Sequence, residues 1–125
     1  MKKIGPKQTS QELFIRKIIS PLGYRYSSYN KHIPGKPDLV FTKLRKVIFV
    51  NGCFWHGHKR CKRSKLPTTN VKFWEKKISG NIKRDKKVKK ELKAIGWEYL
   101  IIWQCEISKS KGSRLIGKIQ KYLST

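Results

Sequence analysis

Apolar and polar residues follow one another along the first half of the chain in a pattern that predicts one helix and a hairpin of two strands. The helix begins at a capping box formed by Thr9 and Glu12 and ends before Pro21 and Gly23. Its apolar face contains Leu13, Phe14, Ile18 and Ile19. The segments 38–41 and 46–50 predict the two strands, and the continuous apolar run within the second segment predicts a central strand buried on both faces.

The second half of the chain predicts a long helix, a third strand and a final helix. The long helix spans about Val71 to Ile95 and ends at Gly96, and the remaining elements cover 97–103 and about 113–123. At about 100° per residue, one stripe of the long helix is apolar and contains Trp74, Ile78, Ile82, Val88, Leu92 and Ile95. The element order predicts a single α/β domain over 1–125, with a mixed β-sheet flanked by helices and a flexible arm at 1–9.

The charge of the chain indicates its partner. Lysine and arginine number 31 against 7 aspartate and glutamate residues, a formal net charge of +24. Such self-repulsion destabilises a compact fold unless a polyanion neutralises it, and nucleic acid is the obvious polyanion. A membrane is the rival partner, but no segment is apolar enough to span one. Asn81 and Asp85 also lie on the apolar stripe of the long helix, unlike residues of a lipid-binding helix.

The N-terminus and the cysteines indicate the compartment. The first six residues lack the apolar core of a signal peptide, so we expect an intracellular, cytoplasmic protein. The three cysteines are an odd number and cannot form a complete set of disulfides. They are therefore interpreted as reduced thiols or metal ligands.

The two aspartates of the chain, Asp38 and Asp85, are candidates for chemistry because anions amid so many cations need a structural partner or a metal. Asp38 follows Pro37, which favours a turn, but a carboxylate at the mouth of a hairpin also suits Mg²⁺. Asp85 shares the apolar stripe with Asn81, four residues away. It either pairs with a lysine or arginine in a buried salt bridge or orients a histidine at an active site.

A second group of candidates lies in the segment 53–61, which contains Cys53, His56, His58 and Cys61. With Cys105 added, three thiolates and one imidazole would make a tetrahedral zinc site of the structural type. Three ordinary reduced cysteines are the alternative. If zinc takes one histidine, the other histidine is available for catalysis.

Two pairs of aromatic residues lie beside basic residues, at 54–55 and 73–74. They are either core residues or wedges, because aromatic side chains can enter a duplex between base steps and unstack them. The pattern alone favours neither interpretation.

These residues together resemble the very short patch repair endonucleases, which nick DNA beside a T:G mismatch. The matching pieces occur in family order and span about 12–105, at 34–38, 47–58, 73–74, 81–85 and 96–105. The resemblance implies a fold similar to the restriction-endonuclease core and an enzyme that acts on double-stranded DNA. We expect a monomer with a functional link to a cytosine-5 DNA methyltransferase or to mismatch-repair proteins.

The resemblance also assigns roles to individual positions. Asp38 would bind Mg²⁺ together with the backbone carbonyl of Val50, and His56 would be the general base. Asp85 would support catalysis beside it, and Glu12 would lie at the edge of the site. A structural zinc would be held by Cys53, His58, Cys61 and Cys105. The residues expected to contact DNA are Phe54, Trp55 and Trp74 as a mismatch wedge, together with Asn81 and Arg84.

Three departures from the family pattern accompany the resemblance. Asn51, which we include among the catalytic candidates, stands where the best-known members carry a second catalytic histidine. One residue is inserted between His58 and Cys61, and the N-terminal arm is short. Two other functions fit the same residues: a zinc-stabilised DNA-binding module without cleavage, and a nuclease of the same fold without mismatch selectivity. Asp38 and His56 together favour an enzyme.

Overall fold

In a computed structural model of the protein, which describes residues 10–27, 32–107 and 112–125, three α-helices surround a three-stranded sheet. The helices are α1 (Ser10–Ile19), α2 (Val71–Ala94) and α3 (Gly112–Ser124). The strands are β1 (Leu39–Phe41), β2 (Lys46–Asn51) and β3 (Glu98–Trp103). Short 3₁₀ turns lie at Ser20–Leu22, Lys62–Ser64 and Gln104–Glu106.

The sheet is mixed, with β2 between an antiparallel β1 and a parallel β3. Because β2 and β3 run in the same direction, the chain must cross over between them, and α2 supplies that crossover. The two faces of the sheet are covered by different helices. Ile48 and Ile102 pack with residues of α1 and α3, whereas Val47 packs with Leu92 of α2. The strand β2 is therefore covered on both sides, as its uninterrupted apolar sequence predicts.

The C-terminal end of α2 directs the chain into the third strand. Gly96 adopts a left-handed φ of 80°, and its N–H donates to the carbonyl of Lys93 at 3.1 Å. The N–H of Trp97 donates to the carbonyl of Leu92 at 2.9 Å, and the two side chains share the core on this face. This is a Schellman motif, in which glycine lets the chain turn while the last helical carbonyls keep their hydrogen bonds.

The predicted elements and the α/β class are confirmed, although several element ends differ from the prediction by about one residue, as where β2 extends to Asn51 and β3 begins at Glu98. Asp38 lies just before β1 and not within it, although its N–H still donates to the carbonyl of Ile48 at 3.1 Å. The prediction that Ile95 lies on the buried stripe is wrong, because α2 ends at Ala94 and the side chain of Ile95 is 49% exposed. The predicted cap Thr9 and the predicted arm 1–9 lie outside the described residues. None of the described helices is long and apolar enough to cross a membrane.

Candidate active site

A cleft opens where the C-terminal end of β2 faces α2. It encloses about 230 Å³, and its lining includes Asp38, Asn51, His56, Asp85 and Lys89. Asn51 is nearly buried there because side chains alternate across a strand, so that it shares the α2 face of β2 with Val47 and Phe49. A second cavity of about 290 Å³ adjoins the cleft and shares four of these residues with it. The fold thus brings four of the catalytic candidates to one place.

Asp38 is held at the edge of the cleft by the backbone of β2. Its Oδ2 accepts a hydrogen bond from the N–H of Val50 at 2.6 Å, across the hairpin. A charge-assisted bond of this kind restrains the carboxylate. Val50, which the resemblance pairs with Asp38, lines the same cleft. A turn role does not account for this contact, because the carboxylate bonds a residue of the neighbouring strand and not of its own turn.

Among the described residues, Asp85 pairs with a histidine and not with a lysine or arginine. Its Oδ2 lies 2.7 Å from Nδ1 of His56. An ionised carboxylate can only accept a hydrogen bond, so in the neutral tautomer that fits this contact Nδ1 carries the proton and Nε2 is an acceptor. The two side chains are 30% and 28% exposed, which leaves the pair accessible from the cleft. This arrangement can orient a general base.

Asn81 anchors the loop that carries His56. Its Nδ2 donates to the carbonyl of Trp55 at 2.8 Å, and its Oδ1 accepts from the guanidinium of Arg84 at 3.2 Å. Gly57, at a φ of 57°, lets the loop approach α2 closely, since a Cβ at that position would lie 2.7 Å from Ile82. Asn81 and Asp85 therefore hold two consecutive loop residues from adjacent turns of one helix. Contact of Asn81 and Arg84 with DNA stays a prediction.

The four predicted zinc ligands form one cluster. The ligand atoms of Cys53, His58, Cys61 and Cys105 all lie within 4.8 Å of one another, a spacing that a tetrahedral metal ion can bridge. The inserted residue between His58 and Cys61 does not disperse them, because Arg60 adopts a left-handed φ of 57° in this connection. The ring of Trp103 stacks on that of His58 at a centroid distance of 4.0 Å and restrains its orientation.

The thiols of this cluster differ in acidity. Burial raises the pKa of Cys53 to about 11, so a metal must displace a proton from this thiol at neutral pH. Desolvation also acts to raise the pKa of Cys61, but hydrogen bonds to the backbone of Arg63 and to the other thiols outweigh it and lower the pKa. None of the three cysteines forms a disulfide with another.

Four aromatic rings form a surface cluster at the start of α2. Trp74 contacts the rings of Phe54, Trp55 and Phe73 at centroid distances of 5.4, 5.8 and 5.1 Å. The side chains of Trp55 and Phe73 are 47% and 59% exposed, so the core alternative is wrong for these two residues. An exposed apolar patch of this kind marks a contact surface.

Sequence reasoning missed two cations of the cleft, Lys36 and Lys89. Both line the cleft, and Lys89 also lines the adjoining cavity. Lys89 follows Asp85 by four residues, so the helical period that singles out Asp85 carries the signal for Lys89 as well. Lys36 has no comparable signal, because its place depends on the loop that packs Gly35 against Val88. Glu12 lies in α1, and its side chain is outside what the structure describes.

A mixed sheet flanked by helices, with a carboxylate and a carboxylate-bound histidine facing one cleft, fits the restriction-endonuclease-like class of nucleases. Comparison with known proteins supports this class and refines it. A family model described as "DNA mismatch endonuclease Vsr" matches residues 1–63. The chain belongs to the Vsr family of endonucleases, which makes it an endodeoxyribonuclease.

Its relatives carry endonuclease or nicking-enzyme names. The type II nicking enzyme V.XorIIP of Xanthomonas oryzae pv. oryzae is 41% identical over 108 residues, covering 86% of this chain and 79% of the relative. The type II nicking enzyme V.NmeAIP of Neisseria meningitidis is 38% identical over 125 residues, covering 96% and 89%. The DNA mismatch endonuclease Vsr of Escherichia coli is 36% identical over 107 residues, covering 86% and 68%. Membership of this family excludes the alternative of a DNA-binding module that does not cleave.

Proposed function

We propose that this endonuclease nicks one strand of duplex DNA beside a T:G mismatch, with Mg²⁺ at Asp38 and a structural zinc in the cysteine cluster. The observation that carries the proposal is the cleft, in which Asp38 and the His56–Asp85 pair face the same space. The names of the relatives, two nicking enzymes and one mismatch endonuclease, support a single-strand nick beside a mismatch.

The donor groups of the cleft fit Mg²⁺. This ion prefers oxygen ligands, and Asp38, Asn51 and Asp85 bring carboxylate and amide oxygens to the cleft lining. Asp38 would hold the ion together with the backbone carbonyl of Val50, while the N–H of Val50 keeps the carboxylate in place. A bound Mg²⁺ would supply positive charge that polarises the scissile phosphate.

The side chains of the cleft supply proton transfer and positioning. Nε2 of His56 would accept a proton from the attacking water, and Asp85 would keep the ring oriented and stabilise the resulting imidazolium. Lys36 and Lys89 add positive charge to the cleft and would attract the phosphate backbone into it. Asn51 would contact the phosphate through its amide N–H, more weakly than an imidazolium because the amide is neutral.

The aromatic cluster supports recognition of a distorted duplex. We assign Phe54, Trp55 and Trp74 as the wedge, because inserted apolar side chains unstack base steps and a mismatched step is the easiest to open. The carbonyl of Trp55 is held by Asn81 directly before His56, so the wedge and the general base share one support. The neighbouring Arg84 is an exposed cation suited to a backbone phosphate.

Mismatch selectivity is tested with end-labelled duplexes that differ only in T:G against C:G, in the presence of Mg²⁺. We expect preferential nicking of one strand of the T:G duplex. A base–aromatic stacking contact is worth about 1–3 kcal/mol, so Trp55→Ala should slow T:G nicking by about 5–150-fold. Phe73→Ala is the matched control, since Phe73 is an exposed ring of the same cluster outside the wedge. Equal cleavage of both duplexes by the wild-type protein would instead establish a nuclease without mismatch selectivity.

The structural metal leads to a separate prediction. The purified protein should contain one zinc ion, and Cys105→Ser should lower the melting temperature because zinc affinity is coupled to folding. Each kcal/mol lost should lower the Tm of a domain of this size by about 4 °C. Elemental analysis and thermal melts with and without chelator measure both effects.

The control for the zinc prediction is the response to chelator. Wild-type protein should melt earlier when chelator is present, whereas Cys105→Ser should show little further change. A folded and active protein that contains no zinc would contradict the assignment. Retention of zinc in His58→Ala together with its loss in His56→Ala would reverse the roles given to the two histidines.

A further inference from the structure

The outward face of α2 carries lysines that the cleavage site does not use. With helix positions spaced at about 100° per residue, five lysines lie about 140–180° around the helix from Asp85, which faces the cleft. All five are exposed, and we call them the lysine ridge: Lys72, Lys76, Lys83, Lys87 and Lys90. From Lys72 to Lys90 the helix rises through 18 residue steps, which corresponds to about 27 Å.

The lysine ridge destabilises the helix that carries it. Lys72 and Lys76 are neighbours on the helix surface, as are Lys83 and Lys87, and each like-charged pair is unfavourable by about 0.2–0.5 kcal/mol. Throughout the part of the chain that the structure describes, the ion pairs are His56–Asp85 and Lys118–Glu106, and neither involves the ridge. Five lysines along nearly 30 Å of one helix face, with none of them in an ion pair among the described residues, are complementary to a polyanion.

A duplex bound in the cleft cannot also reach the ridge. The ridge faces away from the cleft, because its lysines lie about 140–180° around α2 from Asp85. The helix with its side chains, about 10–12 Å across, separates the two surfaces. Smoothly bending 20–30 base pairs by 40–90° already requires about 1–6 kcal/mol. Curving the same duplex by about 180° around one helix would require a much sharper bend than that. Phosphates that contact the ridge must therefore come from another stretch of DNA.

We propose that the lysine ridge is a second DNA-binding surface, which holds a separate duplex segment while the cleft holds the segment to be nicked. The ridge is nearly as long as one turn of duplex, about 34 Å, so its lysines can contact phosphates on both sides of a groove. The contacts are to phosphates and are independent of sequence. Two segments held at once allow one enzyme molecule to pass directly from one stretch of DNA to another.

Bridging of two duplexes tests the proposal without requiring cleavage. A matched duplex is fixed to beads, the protein is added without Mg²⁺, and retention of a second, labelled duplex is measured. The ridge variant is Lys83→Gln, Lys87→Gln and Lys90→Gln together. The control variant is Lys17→Gln, Lys43→Gln and Lys121→Gln, which removes the same charge from exposed positions of α1, the hairpin turn and α3.

Wild-type and control proteins should retain the labelled duplex, and the ridge variant should retain at least about tenfold less. In the ridge variant, affinity for the second duplex should also depend less steeply on salt. The slope of log affinity against log salt concentration should become shallower by about 2.7, since each of the three lost phosphate contacts contributes about 0.9. Single-turnover nicking of a duplex of about two turns should be unchanged in the ridge variant.

Three results would overturn the proposal. The first is that wild-type protein retains no second duplex. The second is that the ridge variant loses affinity for the first duplex as strongly as for the second, which would place the ridge on the same DNA segment. The third is a bridged complex that contains two protein copies, measured by analytical ultracentrifugation, because bridging would then come from protein association. Failure of mismatch selectivity would leave the bridging result unaffected.

Discussion

Replacing Asp38 with alanine should reduce nicking by about 10³-fold or more while DNA binding stays intact or becomes tighter. In the proposed site the carboxylate would face a phosphate, and without a metal ion it would repel DNA. Mg²⁺ held by Asp38 would make the pair net attractive and would supply the charge that polarises the scissile phosphate. The substitution therefore removes the ion and leaves the basic surface, whose net charge of +24 supplies the affinity. Nicking rate and binding affinity are measured on the same T:G duplex.

A second substitution separates the catalytic role of Asp38 from a structural one. Asp38→Ala leaves the N–H of Val50 without its acceptor, and an unsatisfied buried donor costs about 1–3 kcal/mol. Asp38→Asn keeps an acceptor oxygen for that N–H but removes the negative charge. We expect Asp38→Asn to be as inactive as Asp38→Ala and more stable. Full activity in either variant would disprove the mechanism, and joint loss of folding and binding in both would make Asp38 a structural residue.

His56→Ala should slow nicking by about 10²–10⁴-fold, because the attacking water then lacks its base. Asp85→Ala should slow it by about 10–100-fold, the usual effect of losing a group that orients a functional side chain. The two effects should not add. Once the imidazole is absent, Asp85 has no ring to orient, so the double variant should be about as slow as His56→Ala alone. Single-turnover rates at saturating Mg²⁺ measure all three variants.

If the double variant were slower than wild type by the product of the two single-variant factors, this account of Asp85 would be contradicted. That result would mean that Asp85 acts independently of His56, for instance as a second ligand of Mg²⁺. A titration of nicking rate against Mg²⁺ concentration separates these roles. The positioning role predicts an unchanged midpoint for Asp85→Ala, and a ligand role predicts a midpoint shifted to higher Mg²⁺ concentration.

The amphipathic elements could be predicted from the sequence because a helix or strand that is buried on one face has apolar residues at regular intervals along the chain. The long helix predicted from about Val71 to Ile95 was found at Val71–Ala94, and Asp85 was identifiable as a polar residue on its apolar stripe. The same period wrongly placed Ile95 on the buried stripe. The apolar pattern extends to Ile95, whereas the helix itself ends before Gly96. A period therefore locates a helix better than it locates the last residue of that helix.

The site was less accessible from the sequence, because its members come from distant parts of the chain. Spacing alone does not place Cys105 beside His58, although their ligand atoms lie 3.6 Å apart. Ligand chemistry suggested adding Cys105 to the cluster, and the resemblance to a family assigned His58, and not His56, as the imidazole ligand. Lys36 and Lys89 belong to the cleft only once β2 and α2 are packed together. The exposure of Trp55 likewise depends on how its loop docks on α2, which no local pattern encodes.

The loop from Cys53 to Cys61 carries the general-base candidate, the exposed ring of Trp55 and two thiols of the metal cluster. Laboratory evolution that varied this loop to change substrate preference would displace the proton acceptor at the same time. We therefore expect the loop to keep its function in a related protein only when it is transferred whole, together with Asn81 and Asp85, whose hydrogen bonds hold it in place.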